Sequence, residues 1–272
     1  MKKPPHRIPA LELPDAAYAP TGYNSGNITT DIPVPSSILA IGAHPDDIEL
    51  GCGGTLAKWT RAGSTIDYLV MTDGSKGTWD PSLAPHNLSR IRYEEQLEAA
   101  YILSNGSAQH IHRLDAIDGE LTYSRRYQRT VCKIIRLIKP DVIIGHDPWR
   151  RYRLHPDHRN AGFITIDAVV AARDGSFFPD LQSDPHRPQA LLLFEADLPN
   201  HVEEISRDIS TKVSALVAHR SQIESTFGIP YNTPNDLAKE NLMKTIEHYA
   251  SLHARLAGSM SYGEAFHLIT DL

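Results

Sequence analysis

Along the chain, short continuous apolar runs alternate with longer stretches in which apolar residues recur at helical spacing. The segments Ser37–Gly42, 65–71, 109–114, 141–145 and 190–194 read as strands, and Ser37–Gly42 has the near-continuous apolar character of a strand buried on both faces. Between them the spacing predicts helices over 55–62, 88–103, 124–138 and 157–172. Leu88, Ile91, Leu97, Ala100 and Tyr101 share one face of the second of these. Val131, Ile134, Ile135 and Ile138 share a face of the third, which Pro140 ends. Gly51, Gly53 and Gly54 read as the turn into the first helix, and Gly63 as its stop. The tail reads as helical, over 202–222 and 235–256, with a proline-flanked turn at 230–234. Strands alternating with helices predict an α/β fold with a mostly parallel sheet covered on both faces.

Residues 1–35 break the pattern. Pro4, Pro5, Pro9, Pro14, Pro20, Pro33 and Pro35 fall in them without a sustained period, which predicts an extended N-terminal arm before one domain spanning 36–272. Composition adds exclusions more than assignments. The chain is 41% hydrophobic and 22% charged, with net charge −6 and no basic stripe carrying interleaved aromatics, which argues against nucleic acid as a partner. Cys52 and Cys132 are too few for a disulfide framework and lack zinc-finger spacing, so they are expected to be core residues. The first residues hold no apolar segment of the signal-peptide kind, and no run approaches the roughly 18 apolar residues of a membrane span. The expectation is a cytoplasmic protein with no membrane partner, free to form a homo-oligomer.

Two segments carry chemistry. Ala43-His44-Pro45-Asp46-Asp47 follows the first strand, and His155-Pro156-Asp157-His158 follows the fourth. Both fall where strands end, at the edge of an open α/β sheet at which ligand sites gather. His44 and Asp47 can converge on one ion, while Asp46 points elsewhere from the same turn and can reach an ion-bound water. Pro156 suits a first helical position, which leaves His155 and His158 facing one pocket and Asp157 free to hold an imidazole by its other nitrogen. One such segment would say little. Two at matching strand ends point to a hard or borderline metal with an open coordination position.

The same residues carry a resemblance. Ala-His-Pro-Asp-Asp at 43–47 with Glu49 and Gly53-Gly54-Thr55, Arg92 with Glu94-Glu95 and Ala99-Ala100, His-Pro-Asp-His at 155–158, and Ala218-His219-Arg220-Ser221-Gln222 are similar to motifs of the LmbE-like, or PIG-L, family. This family of zinc-dependent N-deacetylases includes those of bacillithiol and mycothiol synthesis. The resemblance spans roughly residues 36–225 and implies a Rossmann-like three-layer sandwich with a helical C-terminal part. It implies His44, Asp47 and His158 as ligands of one Zn2+ per chain, with Fe2+ as the alternative ion. It implies Asp46 as general base, a cationic His155 stabilising the oxyanion and Asp157 orienting His155. Arg92 would bind the substrate, an N-acetylglucosamine-type sugar or conjugate. His219 is weighed between a pocket role and a plain helix histidine.

The chain departs from the family pattern around the second motif. The bacillithiol-type enzymes place an arginine immediately before it; here that position is Leu154, with Arg153 one earlier, and Tyr152 stands where the mycothiol type has a nearby tyrosine. The basic, aromatic loop 149–154 is expected to read a carboxylate or phosphate on the substrate, and Lys76, Trp79 and His86 of loop 72–87 to hold a sugar. Asp73 is weighed between reaching the site and capping a turn, His146 and Asp147 are expected to be loop or supporting groups, and Tyr231 is expected to form one wall of the site. Two other readings stand beside the deacetylase: a zinc amidase acting on another amide, such as a secondary-metabolite intermediate, and a metal- or sugar-binding protein without turnover.

Overall fold

The structure, a computed structural model, describes residues 28–80, 82–107, 110–258 and 260–272. Its first half runs β1 (Thr29–Thr30), β2 (Ser37–Gly42), α1 (Asp47–Arg61), β3 (Thr65–Thr72), α2 (Pro85–Leu103), β4 (His110–Ala116) and α3 (Arg125–Ile138). Then come β5 (Val142–His146), α4 (Pro156–Ala172), β6 (Ala190–Phe194), β7 (His201–Glu204), α5 (Ile209–Ala218), α6 (Ile223–Phe227), α7 (Asn235–Ala257) and β8 (Gly263–Ile269). The strands form one sheet in the order β1-β7-β8-β6-β5-β2-β3-β4. All pairs are parallel except those β8 makes with β6 and β7.

Strand alternation builds the two faces. Ile38 and Ala40 of β2 pack with Tyr68 and Ile144 against α1 and α2, where Ile48, Leu56, Trp59 and Leu103 are buried. Leu39 and Ile41 of the same strand pack with Leu69 and Ile143 against Val131 and Ile135 of α3 and Ile164 and Ala168 of α4. A third cluster joins α5, α6 and α7 through Val213, Leu216, Ile223, Leu242 and Ile246. Local signals agree with this packing: the Ser124 hydroxyl caps α3 by accepting from Tyr127 N, and Lys139 in the left-handed region closes it before Pro140.

The strands β4-β3-β2-β5-β6 are wound outward from β2 and β5, so the chain reverses direction of travel across the sheet between those two strands. A crevice opens at such a switch point, beyond the carboxyl ends of the strands. Both motifs meet there.

Three elements differ from the sequence reading. Helix α1 begins at Asp47, and its glycines lie inside it. Their role is close approach: a Cβ on Gly51 would sit 2.5 Å from the Phe194 ring, and one on Gly54 would sit 2.7 Å from Ile205. The helix is broken at Cys52 (φ −147°, ψ 15°), and Glu264 of β8 accepts from Gly54 N (2.9 Å), Thr55 N (2.7 Å) and Thr55 Oγ1 (2.6 Å) just beyond the break. The C-terminal part is helical as expected but also supplies β7 and β8, so the helix read over 202–222 is a strand at 201–204 followed by α5. Of the arm expected over 1–35, residues 1–27 lie outside the described residues; Thr29–Thr30 adds to the edge of β7. Among the described residues no helix is long and apolar enough to cross a membrane.

Candidate metal centre

His44, Pro45 and Asp46 form the turn between β2 and α1. Asp46 takes φ +103°, a left-handed conformation that costs a non-glycine residue about 1–3 kcal/mol. Neighbours hold it there. Arg92, buried on α2, donates to Pro45 O (2.5 Å) and Gly74 O (3.0 Å) and lies 3.4 Å from Asp46 Oδ1, while Asp46 N donates to Gln96 Oε1 (3.3 Å). The strain separates the two carboxylates. Asp47 accepts from His44 N at 2.7 Å and Asp46 lies beside Arg92, and both line a cavity of about 370 Å³.

The second motif starts α4 in a regular way, with His155 as N-cap and Pro156 in the first turn. It delivers His158 to Asp47 and His44. His44 Nδ1 lies 3.1 Å from His158 Nε2, His44 Nδ1 3.3 Å from Asp47 Oδ2, and His158 Nε2 3.3 Å from Asp47 Oδ1. Three ligands bound at about 2.0–2.1 Å to a tetrahedral ion are roughly 3.3–3.4 Å apart; the two imidazole nitrogens are close to that spacing, and each finds a different oxygen of Asp47 at 3.3 Å. The donor chemistry fits as well, since two imidazoles and a carboxylate suit zinc or ferrous iron. Asp157, Asp118 and Glu195 crowd round the same imidazoles, an excess of negative charge that a cation offsets.

The groups behind His44 fit the same reading. His44 Nε2 lies 3.1 Å from Asp157 Oδ2 and 3.2 Å from Asp118 Oδ1, so its outer nitrogen faces carboxylates, as a metal-bound imidazole requires. Burial alone would raise Asp118, but its hydrogen bond and charge contact with His44 hold it down at about 2. Burial, helped by the charges of His146 and Arg153, outweighs Asp47 and lowers His158 to about 4, keeping that imidazole neutral. Asp46 is raised by burial to about 6, against the charge of Arg92.

The role expected for Asp157 changes. Its carboxylate is not on His155: Oδ2 faces His44 and accepts from Gly119 N (2.6 Å), and Oδ1 accepts from Leu121 N (3.1 Å). Only its backbone N–H reaches His155, donating to Nδ1 at 3.3 Å. His155 lines the cavity, and burial followed by the charge of His44 pushes its pKa below the ordinary value, against the cation expected from the resemblance.

The four expected substrate groups divide. Arg92 and Arg153 line the cavity, but Arg92 is clamped as described, and Arg153 donates from Nε to His158 Nδ1 (2.9 Å) and pairs with Glu195 (3.0 Å). Tyr152 stands outside the cavity wall, 89% exposed, with φ +63°. His219 is buried behind Asp46, with Nε2 3.2 Å from Glu49 Oε2, and lines a small pocket that Asp46 also borders. Burial works against its charge, but Glu49 and Asp46 raise its pKa. The arginines of loop 149–154 are tied down: Arg150 donates to Ala196 O (3.1 Å) and Arg151 to Asp197 (2.7 Å). In loop 72–87, Lys76 reaches the cavity, whereas Trp79 and His86 stand exposed. Asp73 braces the loops by accepting from Ser75 N and Asp118 N, both at 3.0 Å.

Two contributors, Asp118 and Glu195, escaped the sequence reading, and a third, His146, was expected as a loop or supporting group. His146 is the last residue of β5, with Nε2 3.1 Å from Asp47 Oδ2. Asp118 follows β4 and Glu195 follows β6, each at the same end of the sheet as the motifs. Their position after strands was the available signal.

The chain is similar to known deacetylases. The PIG-L family, described as GlcNAc-PI de-N-acetylase, matches residues 39–169. Over 188 residues the chain is 40% identical to the diacetylchitobiose deacetylase of Thermococcus kodakarensis, a match covering 68% of this chain and 69% of that protein. It is 30% identical over 187 residues to the uncharacterized deacetylase YaiS of Escherichia coli, covering 68% of this chain and 90% of that one. The solved structure of N,N'-diacetylchitobiose deacetylase from Pyrococcus horikoshii, complexed with its inhibitor MPG, matches with a TM-score of 0.74 at 32% identity, covering 87% of this chain and 84% of that chain.

Proposed function

This chain belongs to the PIG-L family, and from that premise we propose that it is a metal-dependent deacetylase acting on an N-acetylglucosamine-type sugar, releasing acetate and the free amine. The observation that carries the reading is the convergence of His44 Nδ1, Asp47 and His158 Nε2 at 3.1–3.3 Å beside a cavity that Asp46 and His155 also line. Those three residues would hold one Zn2+, with Fe2+ the alternative. Such an ion supplies Lewis acidity towards the amide oxygen and a water made acidic near neutral pH.

The chain's own groups do the rest. Asp46 accepts a proton from the attacking water as the new C–O bond forms. Its raised pKa, about 6, suits a base working near neutrality. His155 accepts from Asp157 N at Nδ1, which leaves its proton on Nε2. A neutral Nε2–H can donate to the amide oxygen as negative charge gathers there, so no imidazolium is needed. When the C–N bond breaks, Asp46 returns its proton to the leaving nitrogen. Asp157 serves both histidines, His44 through its carboxylate and His155 through its backbone amide.

The test is acetate release from a panel of N-acetylated saccharides, including N-acetylglucosamine and N,N'-diacetylchitobiose. Zinc-loaded protein should release acetate from at least one, lose the activity to a chelator and regain it with zinc. No release from any member would remove the sugar reading.

A further inference from the structure

Glu195 follows β6 with φ +53°, a strained left-handed backbone, and its side chain reaches back over the sheet edge. Its Oε1 lies 3.0 Å from Arg153 NH2. Its Oε2 lies 3.6 Å from His146 Nδ1 and 3.6 Å from His158 Nδ1. The opposite nitrogens of those two rings lie 3.1 Å and 3.3 Å from the carboxylate of Asp47. One acid therefore backs two imidazoles that converge on one candidate ligand.

Following the hydrogens shows what it can do there. His146 Nε2 lies 3.2 Å from Ala43 N and 3.1 Å from Asp47 Oδ2, and its Nδ1 is a buried nitrogen with no hydrogen-bond partner among the described residues and with Glu195 in front of it. His158 can offer Nε2 to an ion only if that nitrogen keeps its lone pair, which puts the ring proton on Nδ1. Nδ1–H then needs an acceptor. Arg153 has only donors, and its Nε–H bond to this nitrogen at 2.9 Å requires Nδ1 to be bare, which excludes a cation on Nε2. Oε2 of Glu195 is a few tenths of an ångström beyond hydrogen-bonding distance.

We propose that Glu195 is a positioning residue for the cation: it accepts Nδ1–H of His158 when Nε2 holds the ion, displacing the Arg153 Nε–H, while Arg153 NH2 keeps the carboxylate in place. This rests on the deacetylase reading of the site. Glu195 selects the ring tautomer that can bind metal and makes that imidazole a stronger donor, in the way carboxylates behind metal-bound histidines do.

The experiment measures zinc affinity of the full chain after chelator treatment, by competition with a chromogenic zinc ligand, so that no turnover is needed. Glu195→Met should weaken binding roughly 10–100-fold, while the melting temperature of the chelator-treated protein stays within about 2 °C of wild type. The double variant Glu195→Met/Arg153→Met leaves no unpaired charge and should remain as weak. It also carries the test if the single variant does not fold. Asp197→Asn, which loosens the neighbouring Arg151 pair, should bind zinc as wild type does. Wild-type affinity in the double variant would mean that Glu195 only neutralises Arg153, and would overturn the proposal. An equal loss in Asp197→Asn would overturn it too, because the effect would then be general loosening of the loop. Wild-type protein that takes up no zinc would instead overturn the deacetylase reading itself.

Discussion

The two His-Pro-Asp turns have nearly the same sequence and are held by different means. The second is a local structure: Pro156 sits where a helix tolerates it, His155 caps the start, and α4 follows without strain. The first is held from outside. Its Asp46 is in the left-handed region, and Arg92 and Gln96, both from α2, fasten Pro45 and Asp46 from across the crevice. The turn that must separate two adjacent carboxylates needs tertiary clamps, whereas the turn that presents two histidines three residues apart needs only a helix start. Substitutions in and around the first turn should therefore be costly at a distance, and those in the second only where a side chain meets the chemistry.

The largest effect is expected at Asp46. Asp46→Asn should keep the metal, because the close contacts among His44, Asp47 and His158 do not involve its carboxylate, and should lower kcat by roughly 10²–10⁴-fold, the usual contribution of a general base. Metal content with turnover checks it; loss of the ion would mean that the adjacent carboxylates have exchanged roles. At the second turn, His155→Ala should cost about 10²–10³-fold in kcat, comparable to one oxyanion donor, again with the metal retained.

Arg92→Met tests the clamp. It leaves Pro45 O and Gly74 O without their donor and should destabilise the fold by about 1–3 kcal/mol in denaturant titration. It should also lower kcat by roughly 10²-fold, as misplacing a catalytic group by an ångström does. The pH profile separates the turns by charge. Asp46 must be deprotonated to act, and burial sets its pKa at about 6. Positive charge from a bound ion lowers that value, so kcat/KM should rise with pH along a limb centred at or below about 6. His155 acts as a neutral donor, so no falling limb should follow its titration, which burial and then the charge of His44 put below the ordinary histidine range. A falling limb that vanished in His155→Ala would restore the imidazolium. The smallest effect belongs to Pro156→Ala, which should cost about 0.4–1 kcal/mol through the unfolded chain and leave kcat/KM unchanged.

The contrast between the turns also explains what could be read without coordinates. The buried strands β2 and β5, the amphipathic α3 and the helix start at Pro156 are local patterns, and each stood where the spacing put it. So did the convergence of His44, Asp47 and His158, because two motifs at adjacent strand ends must meet. What escaped depends on partners far along the chain. β7 was hidden because His201 and Glu203, both fully buried, occupy its inward positions, where strand alternation calls for apolar residues. They are satisfied by each other at 2.8 Å, with Lys58 also on Glu203. The glycines of α1 read as a turn because the sequence does not reveal the Phe194 ring and Ile205 pressed against them. Glu195 looked like any acid after a strand, and Asp157 was given to the wrong histidine because its carboxylate and its amide point at different rings.

The central claim is that His44, Asp47 and His158 hold one cation and that Asp46 and His155 stand beside it without binding it. Anomalous diffraction at the zinc edge from zinc-loaded crystals tests this most directly. The account predicts one peak per chain, within bonding distance of His44 Nδ1, the Asp47 carboxylate and His158 Nε2. A peak bonded instead to His155 with Asp118 or Asp157, or no peak at all, would contradict it.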